Sequence, residues 1–78
     1  MSMIKVMVYG QLEDIIGASV ITLDSISDTD TLTENLFKQF PLLRHKKFLV
    51  AINQQVVTEK TTFDSNAEIA LLPPFSGG

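Results

Sequence analysis

Glu68-Ile69-Ala70-Leu71-Leu72-Pro73-Pro74-Phe75-Ser76-Gly77-Gly78 contains both a strand and the means of ending it. Ile69 to Leu72 is a short apolar run that follows the turn-forming Asp64-Ser65-Asn66, which reads as a buried final strand. Proline fixes its own φ, lacks an N–H and biases the residue before it toward extended geometry. Leu72 is therefore expected to be the last strand residue, with Pro73-Pro74 lifting the chain off the sheet. The six residues from Pro73 could span about 20 Å. Gly77 and Gly78 would let bare backbone enter a channel that any side chain would block. The expected organisation is a domain over residues 1–72 and an extended tail over 73–78. Gly78 carries the candidate reacting carboxylate, and Pro73, Pro74, Phe75, Ser76 and Gly77 form the part that inserts into a partner. Gly-Gly alone is also what a frayed end or a fusion scar looks like. Its place directly after a strongly apolar strand is what points to function.

Upstream, Ile4, Val6 and Val8 alternate with Lys5, Met7 and Tyr9, a period of two that predicts an opening strand with one aliphatic face. Gly10 breaks it. Gln11 to Ile16 can make a helical turn with Leu12, Ile15 and Ile16 inward, Gly17 ends that turn, and Val20-Ile21-Thr22-Leu23 resumes strand character. Thr31-Leu32-Thr33-Glu34 matches a capping box, so a helix is expected to start near residue 32. Leu32, Leu36, Phe37 and Phe40 then make one stripe, and Pro41 closes the helix. Leu42 to Lys47 reads as a connection and Phe48 to Ile52 as a third strand. Asn53-Gln54 reads as a turn in which Asn tolerates the left-handed region, with Gln55 to Val57 folding back beyond it. Phe63 is expected to be a buried anchor. The order of strand, strand, helix, strand, short strand, strand is an α+β pattern, a mixed sheet packed on one main helix.

Side-chain alternation gives that sheet a second face. With Ile69 and Leu71 toward the helix, Ala70 and Leu72 point away, and Leu49 and Ala51 share their side. Leu49, Ala51, Leu72 and Phe75 are therefore the candidate partner interface, an apolar patch of the kind that marks protein-binding surfaces. Phe75 could instead fold back on its own domain.

Composition narrows the function. A chain of 78 residues is one domain and is too small to enclose a catalytic cavity easily, so chemistry is expected to be completed by a partner. Net charge −3, without a dense basic face, argues against nucleic-acid binding. The absence of cysteine removes a disulfide framework, a thiolate nucleophile and a thiolate metal site, and fits a cytoplasmic protein. No charged leader followed by an apolar core is visible, and no apolar run approaches the roughly 20 residues of a membrane span. His45, the only histidine, has no second ligand in view and reads as a solvated residue, so no metal site is assigned. Arg44, Lys46 and Lys47 read as a solvated loop or as a dock for an acidic partner surface. Glu13-Asp14 and the Asp28, Asp30 pair suit loop or cap roles better than acid–base catalysis.

Ala51-Ile52-Asn53-Gln54, Phe63-Asp64 and the run from Glu68 to Gly78 together make the chain resemble the MoaD/ThiS-like, ubiquitin-related sulfur carriers of β-grasp fold. The likeness runs through the whole chain. Asn53-Gln54 belongs to the wider superfamily, and the paired prolines before Phe75-Ser76-Gly77-Gly78 favour the branch of the small subunit of molybdopterin synthase. Two positions depart from the usual pattern. Asn66-Ala67 stands where relatives have Gly-Asp, and Gln11-Leu12-Glu13-Asp14 replaces a first loop that often carries arginine.

The resemblance implies a non-catalytic, sulfur-donating subunit that binds no cofactor. An activating enzyme would spend ATP to adenylate Gly78. A sulfur donor such as a cysteine desulfurase or rhodanese would convert it to a thiocarboxylate. A large catalytic subunit would accept the tail and pass the sulfur to a cyclic pyranopterin monophosphate in molybdenum cofactor biosynthesis. The same terminus would serve a carrier for thiazole, cysteine or tRNA thiolation, or a ubiquitin-like modifier of lysines. No nucleic acid and no membrane enters any of these readings.

Overall fold

The computed structural model describes residues 3–74. Five strands, β1 (Met3–Val8), β2 (Val20–Asp24), β3 (Leu49–Ile52), β4 (Gln55–Val57) and β5 (Ile69–Leu72), form one mixed sheet in the order β2-β1-β5-β3-β4. Among the described strands β1 and β5 pair in parallel, and the other three pairs are antiparallel. A short helix, α1 (Leu12–Ile16), bridges β1 and β2, and the main helix, α2 (Thr29–Gln39), crosses between β2 and β3. This is the α+β arrangement that the order of periodicities predicts.

Alternation decides which side chains meet the helix. Ile4, Val6, Val8, Leu23, Ile52, Ile69 and Leu71 form one buried cluster with Leu12, Leu32 and Leu36 from the helices. Each wholly buried aliphatic side chain contributes about 1.5–3 kcal/mol of transfer free energy, and Ile4, Val6, Leu32, Leu36, Leu43, Ile69 and Leu71 are all 0 % exposed. Gly17, with φ +83°, ends α1 in the left-handed region and donates its N–H to the Glu13 carbonyl.

The start of α2 differs from expectation. The helix begins at Thr29, and its cap is Asp28, whose carboxylate accepts from the Thr31 N–H at 2.8 Å. Both Thr31 and Asp28 have cap chemistry, and tertiary pairing selects the earlier residue. The Thr29 N–H donates to the Thr61 carbonyl, the Thr61 N–H donates back to the buried Thr29 hydroxyl, and the Phe63 N–H donates to the Ser27 carbonyl. Residues 61–63 thus lie as a strap along residues 27–29, and Phe63 is half-buried against the core rather than fully enclosed.

The stretch expected to be a plain connection also has regular structure. Pro41–His45 is a 3₁₀ helix that buries Leu43 completely. Phe40 caps α2 in a non-helical conformation and is half-buried beside it. Between β3 and β4, Asn53 and Gln54 both have positive φ, 51° and 70°, the conformation of a tight hairpin turn that matches strand twist. Asn53 has a second task. Its N–H donates to the Glu68 carbonyl and its Oδ1 accepts from the Glu68 N–H, so the β3–β4 turn fixes where β5 begins.

Two predictions test these contacts. Asn53→Ala loses the side-chain acceptor and places a Cβ without local hydrogen bonding at positive φ, so urea unfolding should show a loss of about 1–3 kcal/mol. Asn53→Gly, which keeps the turn geometry, should lose less. At α2, backbone donation from Thr31 holds the Asp28 carboxyl below its usual value of 3.8. A lowered native-state pKa means that the cap's contribution is complete above the unfolded value and disappears as pH falls through the folded one. Urea midpoints measured between about pH 5 and pH 3 should therefore fall less steeply for Asp28→Asn, which caps without titrating, than for the parent chain.

Candidate functional site at the end of the sheet

β5 leaves the sheet between β1 and β3. The Tyr9 N–H donates to the Leu71 carbonyl at 3.1 Å, and the Leu49↔Leu72 pair closes the other side. At Pro73 the ladder stops for want of an N–H. The ring does not simply project outward: it rests on Gly10, where a Cβ would come within 2.9 Å of Pro73 Cγ. Gly10 also has φ +63°, so this residue meets two demands, a left-handed turn out of β1 and an empty space for the proline. Pro73 is half-buried and Pro74 is exposed. The expectations placed on Phe75, Ser76, Gly77 and Gly78 lie outside the described residues.

The candidate interface residues share one face, as alternation requires. Leu49 pairs with Leu72 and Ala51 with Ala70, all on the side of the sheet away from α2. Leu49 and Leu72 are half-buried. Ala51 is only 5 % exposed, so its methyl is a floor beneath its neighbours. The same face continues across the sheet. Met7 pairs with Val20 and, in parallel register, with Ala70, while Val56 pairs with Ala51.

Met3, Val20 and Val56 expose 55 %, 41 % and 43 % of their surface, which makes this face more apolar than sequence reading of Leu49, Ala51 and Leu72 alone conveys. The signal was present in β1: Met3, Lys5 and Met7 are the residues between its aliphatic ones. An open groove of about 370 Å³ follows this line, with Met3, Met7 and Tyr9 on one side and Asn66 and Glu68 on the other.

Arg44 lies 4.9 Å above the Phe37 ring, and Phe37 meets Phe48 edge-on at 6.2 Å. A shallow hollow between Asp30, Glu34, Lys38 and Arg44 is open to solvent. Among the described residues no group of three His, Cys, Asp or Glu could hold a metal ion, and no helix is long and apolar enough to cross a membrane. The residues brought together surround the point where the chain leaves the sheet at Pro73.

Comparison with known proteins agrees with this geometry. The molybdopterin synthase sulfur carrier subunit of Haemophilus influenzae is 31 % identical, with 97 % of this chain and 100 % of that protein covered. Its Arabidopsis thaliana counterpart is 30 % identical, over 96 % and 82 %. Among solved structures, a Pyrococcus furiosus protein described as molybdopterin converting factor subunit 1 superposes with TM-score 0.85 at 13 % identity, covering 95 % of this chain and 99 % of that one. Small archaeal modifier protein 1 from Methanosarcina acetivorans superposes with TM-score 0.81 at 21 % identity, covering 100 % and 98 %. These structural likenesses establish a β-grasp, ubiquitin-like fold. The ThiS family profile matches residues 6–78, and the chain belongs to the ThiS family.

Proposed function

We propose that this chain is the sulfur carrier subunit of a molybdopterin synthase, acting through a thiocarboxylate at Gly78. The observation that carries the reading is the family match, which runs through the tail to Gly78, together with relatives of that name aligned over nearly the whole chain. The rooted exit of β5 at Pro73 supports it. A carboxylate is a poor electrophile until an oxygen becomes part of a good leaving group, and glycine gives the least hindered carbonyl for attack. An activating enzyme adenylates Gly78 with ATP, releasing pyrophosphate. The persulfide of a desulfurase- or rhodanese-type donor then displaces AMP to give an acyl disulfide at Gly78, and a thiol cleaves that S–S bond, releasing the thiocarboxylate and leaving a disulfide on the donor.

The large subunit receives the tail and supplies the catalytic side chains, and the sulfur passes to a cyclic pyranopterin monophosphate. This chain contributes position. Binding energy from the open face, with Leu49 and Leu72 at its tail end, and from Phe75 in the tail holds the reacting carbonyl where a small free acid would be held poorly. A cytoplasmic setting fits these partners. Chemistry at the same terminus would also suit a lysine modifier, and recovery of the chain in isopeptide linkage to other proteins would favour that role.

The deciding experiment is mass spectrometry of the chain after incubation with its activating enzyme, ATP and a sulfur donor, followed by thiol alkylation. The reagent should attach at Gly78, and the absence of cysteine leaves no competing thiol. Oxidation at Met1, Met3 or Met7 resembles an oxygen-to-sulfur exchange in nominal mass but takes up no alkylating group. An unreactive free carboxylate at Gly78 would overturn the reading, and removal of Gly78 should abolish sulfur transfer. Gly10→Ala should lower stability by about 1–3 kcal/mol, because alanine at this φ is strained. The same substitution pushes Pro73 off its seat and should reduce transfer even at temperatures where the domain remains folded.

A further inference from the structure

The chain is acidic overall, yet Arg44-His45-Lys46-Lys47 holds three of its six lysines and arginines in one exposed run. The fold carries this run to one flank of the tail root. Lys47 is two residues before Leu49, hence within about 7.6 Å of it along the chain, and Leu49 is the direct partner of Leu72. The run is also anchored: Arg44 stacks on Phe37, and Phe37 packs edge-on to Phe48.

The other flank has the opposite sign. Pro73 rests on Gly10, the Gly10 carbonyl accepts from the Glu13 N–H at 3.1 Å, and Glu13 and Asp14 are both exposed. β1 and β3 lie on either side of β5, so the two flanks stand about 10 Å apart at the level of the strands. That separation is close to the screening length at physiological salt, and a partner at contact senses two charges of opposite sign rather than their sum.

We propose that the tail root is the centre of a dipolar docking surface, positive along residues 44–47 and negative at Glu13-Asp14. It fits a tail-accepting protein whose channel mouth carries carboxylates on the side that meets β3 and lysine or arginine on the side that meets α1. A tail alone leaves rotation about its own axis free. A pair of opposed charges removes that freedom, because a half-turn sets like against like on both flanks. Charges at the rim of an interface act chiefly on the association rate and its salt dependence. The inference rests on the carrier reading, which identifies the partner as the large synthase subunit.

The test is association of the full chain with that large subunit, followed by stopped flow over a range of salt. Lys46→Glu with Lys47→Glu changes the net charge from −3 to −7, two units per substitution. Glu13→Lys with Asp14→Lys changes it from −3 to +1. A dipolar surface predicts that both pairs slow association on the order of tenfold at low salt, and that the difference fades at high salt. Lys60→Glu, just before the strap, should stay within about twofold of the parent rate. Lys46→Gln with Lys47→Gln removes attraction without adding repulsion and should slow association by a smaller factor, which guards against a charge-reversed chain that folds poorly. Opposite effects of the two reversed pairs would show control by net charge and overturn the proposal. Unchanged rates in both would also overturn it. A parent chain that does not bind the large subunit at all would remove the carrier reading itself, a result distinct from either.

Discussion

Parallel pairing of β1 with β5 is the constraint on which the rest of the molecule depends. Val6↔Ile69, Met7↔Ala70 and Val8↔Leu71 join the two ends of the described chain in the middle of the sheet. Parallel strands cannot be joined by a tight turn, so everything between them must form the crossover. The intervening residues supply α2, the strap at 61–63 and the outer strands. Because the pair is parallel, the end of β5 lies beside the end of β1, and Pro73 meets Gly10. The place where the chain leaves the sheet, at Pro73, follows from the β1–β5 pairing.

The same pair divides the sheet into two unlike faces. α2 and the 3₁₀ helix cover one, where Ile4, Val6, Val8, Ile69 and Leu71 reach nearly complete burial. No element among the described residues covers the other, yet it carries Met3, Met7, Val20, Leu49, Val56 and Leu72. A small domain buries only a modest share of its surface, and leaving this much aliphatic surface in water gives up stability it could have had. In the proposed carrier role a partner would complete this face, and its position beside the tail root would join recognition to delivery.

Much of this was legible in the sequence because period-two alternation is a direct consequence of the pleat. Ile4-Val6-Val8 and Ile69-Leu71 declare their strands and their buried side, and Asn53-Gln54 declares a hairpin turn. What could not be read depends on contacts distant along the chain. Asp28 and Thr31 compete for one helix start, and only the bonds from Thr29 to Thr61 decide between them. Leu43 sits in a 3₁₀ turn too short to produce a periodic pattern. Gly10 reads as a strand breaker, while its role as the seat of Pro73, more than 60 residues away in sequence, follows from the parallel register. Met3 and Met7 were visible as alternates of the core residues, but their share in the open face depends on Ala70 and Val20 lying beside Met7.

The order of residues in the tail also has a mechanical logic. In the proposed carrier role, a tail with a reach of about 20 Å would magnify angular error at its root: a tilt of about 10° there would move the tip by roughly 3.5 Å. A misplacement of even about 1 Å at a reacting centre costs on the order of a hundredfold in rate. Stiffness is therefore most useful at the base and freedom at the end. Pro73 and Pro74 fix φ where the chain departs, and Gly10 gives the first proline a surface to bear on. In the same role Gly77 and Gly78 would enter a channel without a side chain to clash. Opposed charges on either flank of Pro73 would constrain the remaining rotation. In the proposed role a domain with no catalytic cluster of its own among the described residues would still determine where a bond is made.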